Sequence, residues 1–237
     1  MDLSRIQYLT FDCYGTLVDW ESGILKAIRP VLSIHGVTSV SDEEIIADYA
    51  RAERELESGE YMSYRDVLRG VMRGFGEKHN LKLESRELDR LPESIARWRP
   101  FAEVPGALAS LAQSAGLVVT SNIDGDLFEA SREVLTTQGQ WDFEHVVTAD
   151  YCRSYKPNPR HWKVALALLD TTPDRVLHVA ESVYHDIEPA KALGFATVWV
   201  NRRGVRGPGA SGPGKGPAVA DLEVRSLAEL AMLFTTR

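Results

Sequence analysis

Phe11-Asp12-Cys13-Tyr14-Gly15-Thr16-Leu17-Val18-Asp19 decides how this chain is read. It continues a short apolar run, Ile6-Gln7-Tyr8-Leu9-Thr10-Phe11, whose composition and length predict a strand. Gly15 permits a sharp turn directly after it. The segment therefore sets a carboxylate, Asp12, at the C-terminal end of a first strand. In open α/β sheets ligands bind there, because loops and helix N-termini converge on the same crevice. An isolated Asp-x-x-Gly is as readily an aspartate that caps a turn, so the rest of the chain has to decide.

Four further runs have the same strand-like character: Leu117–Thr120, His145–Thr148, Val176–Val179 and Ala196–Val200. Between the later ones lie amphipathic stretches at Pro105–Gly116, Leu127–Gln138, Arg160–Leu169 and Pro189–Leu193. This alternation predicts an α/β fold, a doubly wound parallel sheet covered on both faces. One region breaks the rhythm, with no strand between Ser22 and Trp98 but several helical signatures. Ser41-Asp42-Glu43-Glu44 reads as an N-cap with first-turn acids, leading into Ile45, Ile46, Tyr49 and Leu56. Tyr64, Val67, Leu68, Val71 and Phe75 form a second apolar stripe. The expectation is a core built from residues 1–19 and 99–237, with an all-helical cap at 20–98 inserted between the first two strands. Gly207, Gly209 and Gly212 fit G-x-G-x-x-G, but Pro213 and Pro217 oppose the helix that a dinucleotide site needs, so Gly204–Pro217 reads as a loop.

Composition narrows the function. The 237 residues are 44% hydrophobic and 26% charged, with a net charge of -7, which gives no electrostatic footprint for nucleic acid or an anionic membrane. Two cysteines, Cys13 and Cys152, are too few for a disulfide scaffold or a four-ligand zinc site. No apolar run approaches the ~18 residues of a membrane span and no secretion signal precedes Ile6, so the expectation is a cytoplasmic protein acting on a small molecule. The sequence leaves room for a homodimer.

Three later segments end strands of the same sheet: Thr120-Ser121-Asn122, Tyr155-Lys156-Pro157-Asn158-Pro159, and Ala180-Glu181-Ser182-Val183-Tyr184-His185-Asp186. The order Asp-x-Tyr-Gly-Thr-Leu, Ser-Asn, Lys-Pro-x-Pro and a final acidic loop resembles the haloacid dehalogenase superfamily. The resemblance covers nearly the whole chain, with the helical insertion at the position of that family's C1 cap. Phe-Asp-x-Tyr-Gly-Thr-Leu is similar to the type II 2-haloacid dehalogenases. Thr10–Glu21, taken with Ser121-Asn122-Ile123-Asp124 and Ala180–Asp186, looks most like a subgroup containing an azetidine-2-carboxylate hydrolase.

The resemblance implies a role for each matched residue. Asp12 would be the nucleophile, forming an ester that water then opens. Lys156 would hold it ionised, since a nearby cation lowers a carboxylate's pKa. Thr16 would bond to Asp12, and Ser121 and Asn122 would donate to a substrate carboxylate or phosphate. Phosphatases of the superfamily carry a second aspartate two residues after the nucleophile as acid–base catalyst. Tyr14 stands there instead, and displacement of halide needs no such acid. Glu181 and Asp186 pull the other way, because acids at this spacing hold Mg²⁺ in phosphatases, with Asp12 as a third ligand. Asp186 could equally activate water. A metal-free reaction is expected, with Mg²⁺ at Asp12, Glu181 and Asp186 as the alternative. From the cap an arginine is expected at the substrate, Arg51 first and Arg54 as its rival. Trp20, with Tyr14, Trp98 and Tyr184, is expected to wall an apolar pocket. The functional expectation is a hydrolase acting on a small 2-substituted carboxylic acid, breaking a C–halide or strained C–N bond through an Asp12 ester. A Mg²⁺-dependent phosphatase and a catalytically idle binding protein are the alternatives.

Overall fold

The computed structural model describes residues 2–204 and 220–235, so the Gly/Pro-rich stretch falls outside the described residues after Gly204. Six parallel strands form the sheet: β1 (Tyr8–Phe11), β2 (Gly116–Ser121), β3 (His145–Thr148), β4 (Val176–Ala180), β5 (Ala196–Val200) and β6 (Leu222–Val224), in the order β3-β2-β1-β4-β5-β6. The chain starts in the middle, builds outward to β3, then returns to the other side of β1 with β4. The reversal point therefore lies between β1 and β4, where Phe11 pairs with Val179. Asp12 leaves the sheet at that crevice.

Among the described residues, ten α-helices accompany the strands. Between β1 and β2 come α1 (Trp20–Ile34), α2 (Asp42–Glu57), α3 (Tyr64–Lys78), α4 (Ser85–Leu88) and α5 (Val104–Leu111). The others are α6 (Gly125–Leu135), α7 (Ala149–Cys152), α8 (Arg160–Leu169), α9 (Glu188–Ala192) and α10 (Leu227–Thr235). The two-residue period of the strands sorts the core. Leu9, Phe11, Leu177, Val179, Val198 and Val200 share one cluster with Leu108 of α5, Phe128 of α6 and Leu230 of α10. Val176 packs instead with Trp162 of α8 and Ala190 of α9. Both faces are thus covered, which is why the strands read as continuous apolar runs rather than as alternation.

Helices α1–α4 and a 3₁₀ turn at Pro92–Arg97 form the N-terminal helical cap. Ser41 does begin α2, in a capping box with Glu44, and the Ser63 side chain caps α3 by accepting the Asp66 N–H. The cap is entered and left through one paired hinge: the Asp19 N–H donates to Arg99 O (2.9 Å) and the Phe101 N–H to Leu17 O (3.1 Å). It is also tied to the sheet side. The Asp124 carboxylate, in the loop after β2, accepts the Tyr64 and Arg65 N–H groups at 2.9 and 3.0 Å, at the N-terminus of α3. Three elements depart from the sequence reading. β6 and α10 were not expected, because a three-residue strand and a short helix next to a Gly/Pro-rich stretch carry little periodic signal. Val183–Ile187, expected as loop, is a π-helical turn that runs straight into α9.

Gly23 of α1 sits face-on to Trp98, and a Cβ placed there would lie 2.5 Å from three atoms of the indole ring. Trp98 is held in place by its ring N–H, which donates to Ser94 Oγ at 2.9 Å. Gly23→Ala should therefore cost about 1–3 kcal/mol by overpacking, despite alanine's better helix propensity. A urea unfolding midpoint at or above that of the parent chain, with unchanged slope, would show that the hinge accommodates the methyl group.

Candidate active site

Asp12 extends the β1 ladder by one residue, its N–H donating to Val179 O of β4 at 3.1 Å. The chain then turns on Gly15, whose φ of +97° suits glycine and whose N–H closes the turn on Val18 O at 2.8 Å. The turn folds Thr16 back beneath Asp12. Its hydroxyl donates to Asp12 Oδ2 (2.7 Å) and accepts the Glu181 N–H (2.9 Å), joining the β1 and β4 loops.

Lys156 arrives from beyond β3 and α7. Asn122 at the end of β2 pins its backbone twice, accepting the Lys156 N–H at 2.7 Å and donating to its carbonyl at 3.2 Å. The ammonium then reaches Asp12 Oδ1 (2.8 Å), Asp186 Oδ1 (2.6 Å) and the Thr120 carbonyl (3.0 Å), one acceptor for each proton. Asp186, in the π-helical turn, is also in contact with His178 Nε2 at 3.1 Å, and His178 Nδ1 with Thr10 Oγ1 at 2.9 Å. An ionised carboxylate only accepts, so His178 donates from Nε2 to Asp186, and its other ring nitrogen is hydrogen-bonded with the Thr10 hydroxyl.

Electrostatics follow from burial. Asp12 is 7% exposed, and desolvation pushes its carboxyl above the ordinary aspartate value, with Lys156 opposing the shift. Asp186 suffers the same desolvation, but Lys156 and His178 outweigh it and bring it down to about 2. Lys156 is raised, because its two carboxylate partners overcome the burial that would favour the neutral amine. Burial lowers His185 to about 4, leaving a neutral imidazole. Tyr14 is pushed far up by burial, and its hydroxyl is bonded to Ser131 Oγ at 2.9 Å.

These groups open onto a cavity of about 80 Å³. Asp12, Tyr14, Ser121, Asn122, Lys156, Ser182, His185 and Asp186 line it from the strand ends. The cap contributes Trp20 of α1, Tyr49, Ala50, Glu53, Arg54 and Glu57 of α2, Tyr64 of α3, and Trp98. Tyr14 meets Trp98 edge-on and Trp20 leans on Tyr49, each pair 5.6 Å between centroids. The aromatic wall is real except for Tyr184, which is not among the lining residues and packs on the ring of His185.

One sequence expectation is corrected, and one alternative is set against the donor geometry. Arg51 does not reach the cavity: its side chain is 61% exposed and paired with Asp48 at 2.6 Å. At 100° per residue, the α2 face that carries residues 49, 50, 53, 54 and 57 turns Arg51 outward and Arg54 inward. The second concerns Asp12, Glu181 and Asp186 as Mg²⁺ ligands. Glu181 lines a separate hollow with Gly15, Phe101 and Arg202, while the Lys156 ammonium occupies the position between Asp12 and Asp186. Among the described residues no group of three His, Cys, Asp or Glu side chains is gathered to hold a metal ion. This donor set does not fit a hard divalent cation, which needs converging oxygens rather than an interposed ammonium. Sequence reading missed Glu53, Glu57, Tyr49 and Tyr64. Their signal was acids at i+4 and i+8 from Tyr49, on the face of α2 that is turned inward.

A family model described as haloacid dehalogenase-like hydrolase matches residues 6–194. Haloacetate dehalogenase H-2 from Moraxella sp. (strain B) is 27% identical over 85% of this chain and 88% of its own length. Glyceraldehyde 3-phosphate phosphatase from Pyrococcus furiosus is 24% identical over 83% of this chain and 81% of its own. The structure of L-2-haloacid dehalogenase from Xanthobacter autotrophicus with chloropropionic acid covalently bound superposes with a TM-score of 0.77 at 23% identity, covering 96% of this chain and 98% of that one. No helix among the described residues is long and apolar enough to cross a membrane.

Lys156 is 2% exposed and balances two buried carboxylates. Lys156→Met keeps the bulk but leaves those charges uncompensated, and should cost about 3–5 kcal/mol in chemical denaturation near pH 7. The deficit should shrink as pH falls and the carboxylates protonate. A loss that does not vary with pH would mean that packing, not charge, gives Lys156 its weight.

Proposed function

The chain belongs to the haloacid dehalogenase-like hydrolases, and on that premise we propose that it hydrolyses a small 2-substituted carboxylic acid through an ester on Asp12. The observation that carries the reading is how Asp12 is held. Lys156 engages Oδ1 and Thr16 engages Oδ2, so the carboxylate has a fixed orientation at the floor of a small, half-aromatic cavity. Orientation of this kind removes much of the entropic barrier to displacement. One oxygen of Asp12 attacks C2 of the substrate, and the C2–leaving-group bond breaks with its electrons going to halide or to a ring nitrogen. Water then attacks the carbonyl carbon of the Asp12 ester, polarised by the Lys156 ammonium, and releases the 2-hydroxy acid. Asp186, whose carboxyl lies near 2, keeps Lys156 charged and in place. Neutral His185 is the cavity's acceptor for the water proton.

Ser121 Oγ and Arg54 Nε support the substrate carboxylate. Both are buried donors without a partner among the described residues, and both belong to residues that line the cavity. The family also contains phosphatases, and the phosphatase reading asks for an acid near Asp12 to protonate a leaving alkoxide. Tyr14, raised far above neutrality and bonded to Ser131, is a poor one. Within the dehalogenase reading, halide and the strained ring amine of azetidine-2-carboxylate remain the two leaving groups.

Asp12→Asn should form no ester and show no multiple turnover, while the parent chain, quenched during turnover in H₂¹⁸O, should gain label on the Asp12 peptide by mass spectrometry. Label that appears only in product, never on Asp12, would sink the nucleophile. The rate should rise with pH on an acid limb displaced above the ordinary aspartate value, because only ionised Asp12 attacks and burial raises its pKa. Exhaustive chelation should leave the rate unchanged, since displacement at carbon has no phosphate charge to neutralise. Loss of activity with chelator and its return with Mg²⁺ would restore the phosphatase reading.

A further inference from the structure

Nine buried side-chain polar atoms lack a hydrogen-bond partner among the described residues, and three of them belong to residues that line the cavity: Arg54 Nε, Ser121 Oγ and Glu57 Oε1. Buried polar groups are normally satisfied, so a cluster of unsatisfied ones in a cavity outlines the ligand that completes them. Two of the three are donors and suit a carboxylate. The third is a carboxylate oxygen, and it calls for a ligand that donates.

Charge makes the same point. Asp12, Glu53, Glu57 and Asp186 line the cavity against two cations, Arg54 and Lys156. Lys156 is already committed to Asp12 and Asp186. A purely anionic substrate would add one more acid to this group and bring no cation to the unpaired Glu57 oxygen. The cap acids are built in rather than incidental. Glu53 Oε1 accepts both the Tyr49 hydroxyl (2.8 Å) and the Tyr64 hydroxyl (2.6 Å). Glu57 Oε2 accepts from Asn122 Nδ2 at 3.1 Å, the same amide that pins Lys156, and this leaves Oε1 unpaired. Burial first and Glu53 second push the Glu57 carboxyl well up, so an empty cavity favours a proton there, and an incoming cation takes that proton's place.

We propose that Glu57, backed by Glu53, is an ammonium subsite, and that the substrate is a small zwitterion whose carboxylate meets Arg54 and Ser121 while its cationic nitrogen meets Glu57. This rests on the hydrolytic reading above and narrows it, because a ring ammonium satisfies Glu57 whereas a simple 2-halo acid leaves it unpaired.

The test compares azetidine-2-carboxylate with 2-chloropropionate on the parent chain, Glu57→Gln and Glu57→Asp. For azetidine-2-carboxylate, Glu57→Gln should raise KM by about tenfold or more, the weight of one charged hydrogen bond, with kcat moving far less, and Glu57→Asp should recover part of the loss. For 2-chloropropionate, which brings no cation to displace the proton on Glu57, Glu57→Gln should leave KM nearly unchanged. A loss confined to the ammonium acid is the signature. Equal losses on both would mean that Glu57 merely supports the fold, and an unchanged KM for azetidine-2-carboxylate would remove the subsite. Calorimetric titration of the same two acids into Asp12→Asn, with and without Glu57→Gln, reads the subsite without turnover: preference for the ammonium acid, lost in the double variant, supports it, and equal binding overturns it. A retained preference with no ester on Asp12 would refute the nucleophile and leave the subsite standing; an ester without charge preference would do the reverse.

Discussion

Two aspartates at the reversal point of a parallel sheet, Asp12 and Asp186, share one ammonium, and the rest of the site is arranged around that contact. Burying two carboxylates side by side is prohibitively unfavourable without a cation, so Lys156 has to reach them. It comes from the loop beyond β3, two strands from Asp12 in the sheet, and it can do so only because Asn122 clamps its backbone at the end of β2. The ends of β1, β2 and β4 and the loop after β3 thus meet in one ion cluster. The same cluster makes chemistry available, since an ionised carboxylate held at both oxygens is an oriented nucleophile.

Lys156 also sets the charge between the two aspartates, because its ammonium bonds one oxygen of each. Glu181, whose spacing to Asp186 resembles a metal-binding pair, points to a different hollow. A five-residue separation in sequence does not bring two side chains together here, because the π-helical turn at Val183–Ile187 rotates Asp186 inward while Glu181 stays at the strand end.

The cap adds the selectivity that the core lacks. α2 presents one face to the cavity, and its 3.6-residue period chooses Arg54 over Arg51 and turns Glu53 and Glu57 toward the catalytic groups. The Tyr49–Glu53–Tyr64 hydroxyl–carboxylate contacts stiffen that face, and the Asp124 carboxylate at the N-terminus of α3 docks the cap on the sheet. Cap and core are joined through the paired hinge at Leu17–Asp19 and Arg99–Phe101, next to Trp98, so the closed geometry depends on packing at one narrow passage.

By itself the amino-acid order determined the α/β alternation, five of the six strands, the helical cap and the place of Asp12, because those rest on local periodicity and on turn chemistry within a few residues. It also placed Ser121 and Asn122 at the end of β2, since a doubly wound sheet sends such ends to one crevice, whereas Lys156, read as a strand end, lies beyond α7 in the loop before α8. Whether Lys156 touches one aspartate or two, which cap arginine turns inward, and that His178 braces Asp186 were decided only in three dimensions. Those outcomes depend on helix phase, on sheet order and on which carboxylates share a cation, quantities that couple residues such as Asp12 and Lys156 across 144 positions of chain. The excess of acid in the cavity belongs to the same class. Glu53 and Glu57 look like ordinary surface glutamates in a charged helix until the fold removes the water from around them.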